Sequence, residues 1–487
     1  MKKALPAAIA LAGSLGFAAA ANAVNVNSDG LGEVLLYSYY TVEDGKDTYV
    51  NITNTTDNTV AVKVRFVESM NSQEVLDFNL YLSPYDVWVG TVTADGTGAK
   101  VTTDDKSCTV PAIPANGQAF RNYQYQGSTY HTGKGGPQGL DRTRTGHIEV
   151  IEMGVVYNGV DQYSAFTPAK WATHVNGVPA SCGALAAAWN TGGVWRSDQT
   201  VAVSSPLGGL YGSGIIIDVD GGTEVSYDAT ALDNFSSSVL HSRPGSILPN
   251  LDSGEPDFNL PGAGVDFFAD SSRDAVSAVL QKAVIANDYV TVSELDATTD
   301  WVVTFPTKSL YVAEWIPTAQ GAVDSVNSAS PEPFTNFWTS APVGGVAGSA
   351  CEPMSITYFD REEDALVPDD LDFSPQPPAA PGFALCWEAN VIGINGSSVL
   401  GGGYNHSNLD LAFEKGWMAF DFTGSVLNTG VSPARTYYRE IDTSAGYIQG
   451  LPVIGFAASQ LVNGDVGGLL SNYAGSTSHK AEISIVD

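Results

Sequence analysis

Val60-Ala61-Val62-Lys63-Val64-Arg65-Phe66 is the stretch on which the fold turns. Val60, Val62, Val64 and Phe66 alternate with Ala61, Lys63 and Arg65. A period of two sends the first set to one face of a pleated strand and the second set to the other. The pattern predicts a half-buried strand with one wet face. Leu76, Phe78, Leu80 and Leu82 repeat it against Asp77, Asn79 and Tyr81. Upstream, Val34 to Val42 and Tyr49 to Thr53 flank Asp44-Gly45, the strongest short hairpin signal. Pro84 and Asp86 break the chain before Val87 to Thr93. Five strands within about 60 residues, joined by short turns, have the rhythm of an antiparallel sandwich.

The same rhythm continues. Asn-Gly or Asp-Gly begins at positions 29, 44, 95, 116, 158, 176, 220, 395 and 463, so tight turns are spread along the chain. Further strands are expected at His147 to Val156, Gly214 to Val219, Trp301 to Phe305, Leu385 to Ile394 and Trp417 to Phe422, with a last one near Ala481 to Asp487. Helical periodicity is confined to Asp274 to Ile285, with Ser271 or Ser272 as N-cap, and to a short turn over Gly183 to Trp189. The predicted class is all-β: an antiparallel β-sandwich of Ig-like architecture, with long loops and a few short covering helices. Two β-rich regions are expected, 24–200 and 201–487, the second carrying a polyproline-like loop over Pro368 to Gly382.

Met1 to Ala23 reads as a secretory signal peptide. Lys2 and Lys3 open it, an apolar run follows, and Ala21-Asn22-Ala23 ends it as a cleavage site. Export to the cell surface or medium is therefore expected, with the periplasm as the alternative. After Ala23 no apolar run approaches the roughly 20 residues of a membrane-spanning helix. In that compartment Cys108, Cys182, Cys351 and Cys386 are expected to form disulfides, and proximity favours Cys108–Cys182 and Cys351–Cys386. The formal charge of -31 argues against nucleic acid, whose phosphates need clustered Lys and Arg.

Several segments carry a resemblance together: Glu74 to Trp88 (EVLDFNLYLSPYDVW), Ile148 to Gly154 (IEVIEMG), Asp300 to Lys308 (DWVVTFPTK), Tyr358 to Asp364 (YFDREED) and Gly450 to Ala458 (GLPVIGFAA). They resemble a family of secreted, β-rich proteobacterial surface proteins with no assigned activity. The resemblance implies an exported β-protein and assigns no residue a chemical role.

Two groups of carboxylates stand out. Asp360, Glu362, Glu363, Asp364, Asp369, Asp370 and Asp372 place seven acids within 13 residues, and Ca²⁺ takes six to eight oxygens from such loops. The spacing lacks the register of an EF-hand, and a solvated acidic loop accounts for it as well. Asp218 and Asp220 share a face if the strand runs through both, ahead of the turn Gly221-Gly222. Such a pair would suit a cation or the acid and base of glycoside hydrolysis. Calcium is thus the one cofactor the sequence suggests. The six histidines are scattered, and no nucleophile elbow or zinc motif occurs. Tyr37-Ser38-Tyr39-Tyr40 and Tyr123, Tyr125 and Tyr130 are the aromatic groups that would serve a sugar groove. The expected role is structural or adhesive, with copies joined through sheet edges. The alternative is a carbohydrate-binding or glycoside-hydrolysing protein acting on surface polysaccharide.

Overall fold

The computed structural model describes residues 23–126, 136–260, 266–312, 330–338, 349–362, 383–428, 434–444 and 446–486. Residues 1–22 of the expected signal, Tyr130, Glu363, Asp364, Asp369, Asp370, Asp372 and the polyproline-like loop lie outside them. The main elements of the first sandwich are β1 (Val34–Thr41), β2 (Lys46–Asn54), β3 (Thr59–Glu68), β4 (Glu74–Leu82), β5 (Val87–Asp95), β6 (Gly98–Thr102), β7 (Thr145–Val156), α1 (Cys182–Ala188), β8 (Leu210–Asp218) and β9 (Thr223–Asp228). A first sheet runs β1-β7-β3-β4, extended by Thr230–Asp233 and Asn25–Val26 beyond β1 and by Cys108–Val110 beyond β4. A second runs β9-β8-β2-β5-β6. The apolar set of β3 meets Val50 and Ile52 of β2 and Trp88 of β5 across a common core. Phe78 and Trp88 close it with ring centroids 5.6 Å apart. Because β8, β9 and Thr230–Asp233 belong to these sheets, the first sandwich draws on both sides of the expected division at residue 200.

The chain is all-β, and among the described residues every pairing between named strands but one is antiparallel, as the alternation predicts. Two local expectations are corrected. Asp44-Gly45 does not close a hairpin: β1 lies in the first sheet and β2 in the second. Both turn residues adopt positive φ, 50° and 77°, but the chain uses the bend to cross the core. Thr48 Oγ1 donates to Thr41 O at 2.8 Å and accepts from Thr41 N at 3.0 Å, which pins the arch. The second correction is that β3 has no wet face. Every residue of β1, β3 and β7 is buried, because Phe166, Leu185 of α1 and Trp195 cover part of the outer face.

The second sandwich follows with α2 (Ser272–Leu280), β10 (Val284–Val290), β11 (Ala297–Thr304), β12 (Ser355–Asp360), β13 (Ala389–Ile394), β14 (Lys415–Asp421), β15 (Ile454–Val466) and β16 (Leu469–Ser478). A third sheet runs β13-β11-β15-β16, with His406–Leu409 added in parallel beside β13. A fourth runs β12-β14-β10, closed by Lys480–Glu482. The third sheet is shared. Trp301 and Val303 of β11 enter the second core with Met418 and Phe420 of β14. Between them Val302 points the other way and joins Val391, Phe456 and Ala458 in the first core. Tyr227 of β9 stacks on Phe456 at 4.7 Å.

Helix α2 starts where the sequence predicts: Ser271 caps it, its hydroxyl accepting from Asp274 N at 3.3 Å. It stops at Leu280, short of the expected Ile285. Gln281 and Lys282 pair with Leu451 and Pro452, and Ile285 begins serving the second core from a strand.

Candidate functional site

The fourth sheet carries the candidate site on its outer face and at the β12 edge. Along β14 Gly416 is buried and the side chains of Met418 and Phe420 turn inward, so Lys415, Trp417, Ala419 and Asp421 turn outward. Asp288 of β10 and Phe359 of β12 stand on either side of Trp417 in register. Phe359 stacks on Trp417 with centroids 4.8 Å apart and planes inclined by 19°. Gly416 permits this approach, since a Cβ there would collide with the carbonyl oxygen of Phe359. Trp417 is 41% exposed, an unusual outlay of aromatic surface for a strand residue. Among the described residues no strand pairs with the far side of β12, the position from which a sheet can be extended by a further strand. Asp288 and Asp421 are exposed on the same face.

The residues singled out in the sequence fare differently. Asp218 ends β8 and is committed locally: it stands 3.5 Å from Lys46 Nζ and accepts from Gly221 N at 2.7 Å. Asp220 lies beyond the strand in the turn, exposed, so the two do not share a strand face. Asp360 ends β12 and accepts from Glu362 N at 2.9 Å; Glu362 is exposed. Among the described residues no three Asp, Glu, His or Cys are grouped to hold a metal ion. Tyr37, Tyr39 and Tyr40 are core residues, and Tyr125 is buried under the Arg142 guanidinium at 4.3 Å. They form no groove; among the described members of that set only Tyr123 is exposed.

Both disulfides form with the expected partners, Cys108–Cys182 and Cys351–Cys386, which fits an exported protein. The second is braced from inside. Lys308 Nζ donates to the carbonyls of Ala350 and Trp387, the neighbours of the two cysteines, at 2.6 and 3.3 Å. No helix among the described residues is long and apolar enough to cross a membrane.

Two buried charge clusters on the first sheet were not visible in the sequence. On the outer face of β3, Lys63 Nζ pairs with Asp77 at 2.6 Å, and Arg65 pairs with Glu74 at 2.9 Å and with Glu149 of β7. Burial pushes the Glu149 carboxyl up, but Arg65 and His147 together outweigh it and hold the group below its ordinary value. A cavity of about 50 Å³ opens beside Arg65 and Glu149, and His147 stands 3.8 Å from Glu149. The second cluster is all acid. Glu152 of β7 accepts from the backbone of Leu207 and Gly208 at 3.2 and 2.9 Å. Glu33 accepts from Ser236 N at 2.8 Å. Burial lifts Glu152 to about 8 and Glu33 to about 7, with a smaller push on Glu152 from the Glu33 charge and on Glu33 from that of Asp233.

Comparison of the chain with protein-family models, with curated proteins and with solved structures gives no match in any of the three.

Proposed function

We propose that this is an exported structural or adhesive protein of the bacterial surface, which assembles with further copies of itself through the edge of β12. The observation that carries the reading is that edge: along Ser355 to Phe359 of β12 no strand pairs on the far side among the described residues. An unpaired edge is a template for strand addition, and natural folds usually cover or charge it. The signal-like start and the two disulfides supply the address and the durability. The carboxylates at and beside the edge, Glu362 and Asp421, make association sensitive to divalent cations, which would offset like charge between copies.

Size-exclusion chromatography and negative-stain microscopy of the mature chain, in Ca²⁺ and in EDTA, test this. Oligomers are expected in Ca²⁺ and their loss in Thr357→Lys, whose exposed edge position would set like charges against each other. Monomers in both buffers refute the assembling reading. Fractionation of cells, with the protein found only in the periplasm, refutes the surface location.

A second reading, carbohydrate binding, is favoured by the Phe359–Trp417 stack, since a planar aromatic face is what a sugar ring packs upon. Retention on polysaccharide columns that Trp417→Ala abolishes would support it. Turnover of polysaccharide lost in Asp218→Asn and Asp220→Asn would overturn the structural reading.

A further inference from the structure

The two sandwiches leave a cavity of about 200 Å³ between them. At the volume of liquid water it has room for roughly seven molecules. Its floor is apolar and buried: Leu280 at the end of α2, Ile285 of β10, and Ile454 and Phe456 of β15. Its rim includes Asp228 at the end of β9 and Ser478 at the end of β16, both exposed, so the cavity opens to solvent there.

Lys282 lines this cavity. Its backbone is held by pairing with Leu451. Lys46 and Lys63 each face a carboxylate, Asp218 and Asp77, and Lys308 has its two carbonyl acceptors. Lys282 has neither: among the described residues its ammonium makes no ion pair and no hydrogen bond. Burial pulls its pKa down to about 8, so it remains mostly charged at neutral pH. His479, on the same wall, adds no positive charge. Burial holds it near 4, and its Nε2 is engaged with Val302 O at 2.9 Å. Lys282 is half-buried, and a cation beside an apolar floor with no carboxylate opposite it leaves its charge without a counterpart. One negative charge supplies that counterpart. A dianion suits the cavity poorly, because the C-terminal end of α2, with its partial negative charge, and the rim carboxylate of Asp228 both oppose a second one.

We propose that this junction cavity binds a small monocarboxylate with an apolar tail, the carboxylate on Lys282 Nζ and the tail against Leu280, Ile285, Ile454 and Phe456. The site is independent of the β12 edge, so it stands or falls separately from the assembly reading.

Titration calorimetry of the intact chain with octanoate and with octan-1-ol tests it. Octanoate is expected to bind one to one and at least tenfold more tightly than the alcohol, which shares the tail but lacks the charge. Lys282→Met, unbranched and apolar, is expected to weaken octanoate at least tenfold and leave octan-1-ol unchanged. Val26→Phe, on the short strand that also lines the cavity, is expected to weaken both by filling the space. Matching circular dichroism of each variant checks that it is folded. Equal affinity of wild type for acid and alcohol, absence of octanoate binding, or unchanged octanoate affinity in folded Lys282→Met would overturn the proposal. The first two comparisons need no variant at all.

Discussion

Glu152 gives the sharpest handle on this fold, because it sits in the middle of β7 and makes no ion pair among the described residues. Its carboxyl is fully buried and raised from 4.5 to about 8, first by burial and then by Glu33. The folded protein therefore keeps a proton that the unfolded chain releases near 4.5. Between those values the native state binds more protons, so stability falls as pH rises. The slope is about 1.4 kcal/mol per pH unit, which from pH 4.5 to pH 7 amounts to about 3 kcal/mol. Glu33, raised to about 7, pushes in the same direction. Glu152→Gln removes the titration but supplies only one acceptor for the amides of Leu207 and Gly208, at a cost of about 1 kcal/mol. The variant should be about 1 kcal/mol less stable than wild type at pH 4.5 and about 2 kcal/mol more stable at pH 7. Urea unfolding followed by tryptophan fluorescence, at half-unit steps from pH 4.5 to 8, reads both values. Parallel pH profiles for the two proteins would show that Glu152 is ionised in the native state and would refute the reasoning.

Arg65→Met should cost about 3–5 kcal/mol, because it leaves Glu74 and Glu149 buried without their cation; urea denaturation of Arg65→Met with Glu149→Met should recover most of that loss. Opening the Cys108–Cys182 bridge by double Ser substitution should lower stability by about 4.4 kcal/mol and opening Cys351–Cys386 by about 3.8 kcal/mol, given separations of 74 and 35 residues. Calorimetry that ranks them in the opposite order would contradict the loop-closure account. Trp301→Ala should cost about 3–5 kcal/mol and shift one calorimetric transition as a whole. A thermogram that splits in two would contradict the sharing of the third sheet.

The strands were largely legible because period two is a local property. In β4, the side chains of Phe78, Leu80 and Leu82 enter the first core as their spacing predicts. Periodicity says which residues share a face and is silent on whether that face meets water. Lys63 and Arg65 looked like surface residues for this reason. Their partners Asp77 and Glu149 lie 14 and 84 positions away, and the cover over them comes from segments further still. Asp44-Gly45 failed in a related way: the dipeptide reports positive φ, not which strands its flanks will pair with. The cysteines were readable from separation alone. The Phe359–Trp417 platform was not, since its residues come from β12 and β14 and are joined only by register.

The third sheet also sets a timetable. The first core takes Val302, Val391, Phe456 and Ala458 from far down the chain, so a nascent polypeptide lacking its last hundred or so residues has an unsealed hydrophobic wall. Contacts of such long reach close slowly. Under the proposed export, a chain that crosses a membrane before it folds would gain from that delay: it would arrive on the far side still threadable, with its final strands as the latch.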